Sequence, residues 1–92
     1  MDMDTLKSQL TRAENALNEL YERLAETKKT IETLKTQQKN FPAESDEYLN
    51  ISGTIYLLGI SERTIGMQIK DLENRIAEIG SEMKGLETEQ AK

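Results

Sequence analysis

From Met3 onward, apolar positions recur at alternating intervals of three and four residues: Met3, Leu6, Leu10, Ala13, Leu17, Leu20, Leu24, Thr27, Ile31, Leu34, Gln38 and Phe41. This spacing marks the a and d positions of a heptad seam, and good helix formers fill the positions between. The pattern predicts a helix over residues 4–40. Asp4 is placed to cap its start, and Asp2 adds negative charge near the positive end of the helix dipole. Lys35 and Lys39 suit the opposite end. Pro42 then closes the segment, because its ring disfavours helical geometry at Phe41 and it has no amide hydrogen to donate.

A second start follows at once. Ser45 with Asp46 and Glu47 reads as an N-cap followed by acidic first-turn residues. Beyond it lies ISGTIYLLGISERTIGMQI, residues 51–69, whose glycines and β-branched residues suggest strands. Its spacing points elsewhere. Tyr48, Ile51, Ile55, Leu58, Glu62, Ile65, Ile69, Leu72, Ile76, Ile79, Met83 and Leu86 form one unbroken heptad track. A strand followed by a loop and a helix has no reason to keep a single phase through all three. The track predicts a helix over residues 45–89.

The connection over residues 41–44 is short, and short connections make neighbouring helices antiparallel. The expected fold is all-α: an antiparallel two-helix coiled-coil hairpin, one domain over residues 1–92, that assembles into a larger helical bundle. Facing residues should have numbers summing to about 86, pairing Ile31 with Ile55, Leu20 with Ile65, Leu17 with Ile69 and Leu10 with Ile76. Glu62 is the one strongly polar residue in the second seam, near Leu24 and Thr27. Arg23 on the flank is its expected ionic partner, a pair that would set register more than stability.

Glycine in a helix interior costs roughly 1 kcal/mol relative to alanine, so the five glycines ask for a reason. Ser45, Ser52, Gly59, Gly66 and Gly80 share one heptad position, e, beside the seam. Small residues there would let another helix backbone come close; the alternative is that they scatter over an undemanding surface. Gly53 and Gly85 lie outside the row. Tyr56, Leu57, Ile60 and Met67 widen the apolar surface of the second helix beyond one seam. Either they fold back over Tyr21 and Leu24, or they meet a further helix. The second option makes Ser52, Tyr56, Leu57, Gly59, Ile60, Gly66 and Met67 the candidate protein-interaction residues.

Composition sharpens this picture. Apolar residues make up 36% of the chain, charged residues 32% and aromatics 4%, a profile of long amphipathic helices. Residues 1–40 carry seven basic and seven acidic side chains; residues 41–92 carry five and ten, the source of the net charge of −5. Without a basic stripe, nucleic acid and anionic membrane surfaces are not the expected partners. No apolar run reaches the ~18 residues of a membrane span. MDMDTLKSQL lacks the pattern of a secretory signal, so a cytoplasmic location is expected and Asn50-Ile51-Ser52 is read as a chance glycosylation match.

Candidate chemistry is sparse. The chain has neither cysteine nor histidine, which removes thiolate chemistry and the commonest metal ligand and general base. Glu22, Glu26, Glu87 and Glu89 sit where a solvated helix face would put them, and bundle metal sites combine Glu with Glu-x-x-His. Gly53, Gly59 and Gly66 match no phosphate-binding loop. The expectation is a protein that is not an enzyme, with no cofactor and no metal.

EYLNISGTIYLL supplies Tyr48, then Gly53, then Ile55-Tyr56-Leu57-Leu58, and IKDLENRIAEI follows. This order resembles the β-type subunits of prefoldin, in which two long coiled-coil helices flank a short β segment. The resemblance implies a β insert within residues 48–60 and a holdase role, with helix tips gripping unfolded chains. The unbroken heptads imply instead a self-associating coiled-coil module of the assembly-factor, inhibitor or small-chaperone type, partnered by its own copies or another helix. An oligomeric sponge for a small ligand is a third reading.

Overall fold

The computed structural model describes residues 2–90. It contains two helices, α1 (Met3–Gln38, 36 residues) and α2 (Asp46–Gln90, 45 residues), with no strand among the described residues. Residues 48–60 are helical, so the β segment implied by the prefoldin resemblance is not formed there. The chain is an all-α helical hairpin.

The cap of α1 differs from the expectation. Asp2 holds it: its carboxylate accepts a hydrogen bond of 2.7 Å from the Thr5 amide, while Asp4 lies in the first turn. That bond, made to the charged form, lowers the Asp2 carboxyl below its ordinary value. At the other end α1 stops at Gln38, two residues before the expected end. The amides of Lys39, Asn40 and Phe41 donate instead to carbonyls three residues back, a tightened last turn that leads into Pro42. Ser45 caps α2 as expected, its hydroxyl accepting from the Tyr48 amide at 3.2 Å. Between them Glu44 takes a left-handed backbone with φ 73°.

Two compact units divide the hairpin: residues up to Tyr21 with Gln68 onward, and Glu22–Met67. In the first, Leu6 lies beside Leu86, and Gln9 accepts a 3.2 Å bond from Arg75, as antiparallel pairing requires. Its core is well covered: Leu6 and Ile79 are each 1% exposed, and Ala13, Leu20 and Ile69 are also buried. In the second, the Gln38 amide donates to the Tyr48 carbonyl and the Ser52 hydroxyl, again antiparallel. Facing numbers sum to 84 for Gln9 and Arg75, to 92 for Leu6 and Leu86, and to 86 and 90 for the two Gln38 bonds, running from just below the expected 86 to above it.

The covered positions of both helices follow the heptad tracks closely. In the second unit, however, Ile31 is the one buried apolar side chain, while Leu24, Leu34, Ile51, Ile55, Leu58 and Ile65 are half-covered. A single antiparallel partner shields only one side of a helix. This half of the hairpin leaves its seam partly open.

Candidate functional site: the outer face of α2

In the frame that makes Tyr48 an a position, b, c and f point away from the seam, with f directly opposite it. A two-helix hairpin normally fills these positions with charge. Along α1 it does: from Asp4 to Thr36 they are polar apart from Ala25. In α2 beyond Met67 they run Lys70, Asp71, Asn74, Ala77, Glu78, Ser81, Lys84, Gly85 and Thr88, with no large apolar side chain. Between Leu49 and Met67 the rule breaks. There b, c and f read Leu49, Asn50, Gly53, Tyr56, Leu57, Ile60, Arg63, Thr64 and Met67. This length of α2 is apolar on two opposite faces, a pattern that belongs to a helix covered on both sides.

These side chains are bare in the hairpin. Leu49 is 55% exposed, Tyr56 66%, Leu57 64%, Ile60 43% and Met67 69%. Leu49, Tyr56, Leu57 and Met67 stay more than half exposed, while Ile60, the least exposed of the five, also lines the groove shared with Arg23, Glu26 and Thr27 of α1. Five large apolar groups along one face make a patch at the ~300–600 Å² scale of the largest found on a typical monomer.

The remaining candidates fall elsewhere. Ser52 is half-buried and its hydroxyl is engaged by Gln38, which makes it part of the turn. Gly59 is half-covered and Gly66 exposed, both on the flank of the seam. A Cβ built on any of the five glycines would have no neighbour within 4 Å, so no backbone of this chain approaches them. The close packing expected of the glycine row is therefore absent within the hairpin, where the Leu and Ile side chains of the seam set the spacing of the helices.

Arg23 and Glu62 do not form the expected register pair. Among the described residues the ion pairs are Glu32–Lys35 and Arg75–Glu78, both between neighbours on one helix. Arg23 is exposed and lines an open groove of about 430 Å³ with Glu26 and Thr27 of α1 and Leu58, Ile60, Ser61, Thr64 and Ile65 of α2. Exposed pairs contribute only ~0–1 kcal/mol and cost side-chain freedom, so a hydrated Arg23 loses little. The groove hydroxyls are partly spent: Thr27 donates to the Arg23 carbonyl at 2.8 Å and Thr64 to the Ile60 carbonyl at 3.1 Å. Gln38, a seam position of the α1 track, has a role that spacing does not reveal: its amide ties the end of α1 to Tyr48 and Ser52.

Among the described residues no group of three or more acidic side chains converges as a metal site would need. No helix among them is long and apolar enough to cross a membrane. No family model matches this chain, and comparison with curated proteins and with solved structures found no match.

Proposed function

We propose that the protein is a non-enzymatic helical module that works by binding protein, its own copies first, through the outer face of α2. One observation carries the reading: the exposed row Leu49, Tyr56, Leu57, Ile60 and Met67, on positions a lone hairpin would give to charge. Burying such groups is the largest favourable term available to a helical surface, at roughly 25 cal/mol per Å². The half-open seam of the same unit supports the reading, since further helices would cover it as well.

Light scattering across a range of concentrations tests the proposal. The wild-type chain should have a mass that is a multiple of its 10.5 kDa. Leu57→Glu should return it to a single chain with helix content unchanged. A wild-type protein that stays monomeric at high micromolar concentration, with the same mass as Leu57→Glu, would end the self-association reading.

A further inference from the structure

Resting on that reading, we infer that the occupant of the α2 outer face is the same face of a second copy, packed antiparallel about a two-fold axis at Ile60. The size of the patch argues for a copy. Two such faces together would remove about 1,000 Å² from water, the lower bound of a specific interface. A two-fold pair is also the simplest closed way to cover one apolar face per chain.

The register follows from charge and size. A two-fold axis perpendicular to antiparallel helices keeps each residue on its own side, so f faces f, b faces b and c faces c. Allowed registers then differ by one heptad. With the axis at Ile60, facing numbers sum to about 120. Ile60 meets Ile60 of the second copy, and Gly53 meets Met67. Leu57 meets Thr64, and the Tyr56 ring lies beside Arg63, a cation–π arrangement. Sliding one heptad in one direction sets Met67 against Asp46, which strips water from a carboxylate. Sliding in the other sets Arg63 against Arg63 of the second copy, two like charges. The Ile60-centred register avoids both, and at its ends Leu49 meets Lys70, whose long aliphatic stem covers it while the amine stays in water.

It also gives Gly53 a reason. Gly53 is exposed, with open space where a side chain would be. In this packing that space receives the long, unbranched side chain of Met67, itself 69% exposed in the single chain.

The chain has no cysteine, so engineered thiols report without background. A disulfide closes only between residues whose Cα atoms come within ~7 Å. Ile60→Cys should oxidise readily to a homodimer, while Ser81→Cys, at the same heptad position outside the apolar row, should not. An equimolar mixture of Tyr56→Cys and Arg63→Cys should give the mixed disulfide at least tenfold over either homodimer. Homodimers of Tyr56→Cys or Arg63→Cys in excess, or Ile60→Cys oxidising no faster than Ser81→Cys, would overturn the register. Light scattering of Ile60→Glu, with helix content checked by circular dichroism, separates the two levels. If wild type assembles, Ile60→Glu does not, and the cysteine pattern fails, the face binds protein and the register is wrong. If Ile60→Glu assembles like wild type, the register and the choice of face both fall.

Discussion

Glu44 carries the one positive φ of a non-glycine residue among those described, 73°, in the turn between the helices. A left-handed backbone costs an L-residue with a Cβ roughly 1–2 kcal/mol, and glycine relieves it at some entropic expense. Glu44→Gly should therefore raise unfolding stability by up to about 1 kcal/mol, read by chemical denaturation; a loss would mean that the Glu44 side chain matters more than its backbone. Asp2 offers a pH-dependent counterpart. Its folded pKa is lowered because the charged carboxylate accepts the Thr5 amide. A lowered folded pKa stabilises above the unfolded value and is lost as pH falls through the folded one. The Thr5 amide resonance should titrate with a midpoint below 3.8, and Asp2→Asn should abolish the step while still capping the helix. Gln38 is the third residue of this kind, tying the end of α1 to Tyr48 and Ser52.

At the scale of the element, α2 is the unusual helix. Its seam holds one phase from Tyr48 to Leu86, and the covered residues fall on it even where glycines interrupt the apolar run. Glu62 is the flaw in that seam: half-buried, with no ion pair. Glu62→Leu should raise thermal stability, by about 1 kcal/mol for a half-covered aliphatic side chain, followed by circular dichroism. A large drop instead would show that Glu62 makes a contact essential to the fold. The second feature of α2 is its outward face. Tyr56, Leu57, Ile60 and Met67 share a helix with the seam residues yet point the other way, which periodicity at a single frame does not display.

For the whole molecule, the distribution of burial matters more than its total. Among the described residues, the unit up to Tyr21 and from Gln68 has five of the six buried apolar residues, and the unit containing the turn has Ile31 alone. The exposed apolar row lies entirely within that second unit. The half with the thinner core is thus the half with the surplus apolar surface, and one event, association, would complete both. Light scattering of wild type and Leu57→Glu decides the matter at this scale.

Both helices, the turn at Pro42 and the antiparallel hairpin were readable from residue spacing, because a heptad repeat states at once which face is covered and by what period. The role of Ser45 was readable too, since capping is local. What spacing could not decide was how far each covered position is closed off. The glycine row looked like a device for close approach, but only the tertiary structure shows that no other part of this chain comes within 4 Å of it. Arg23 and Glu62 looked like partners, but exposure decides whether a pair is preferred over water. Tyr56, Leu57, Ile60 and Met67 were legible as apolar surface beyond the seam, but that α1 leaves them exposed, with Leu49 beside them, needed the tertiary structure. Local sequence determines the period and the caps; where a surface is left without cover depends on every element packed against it.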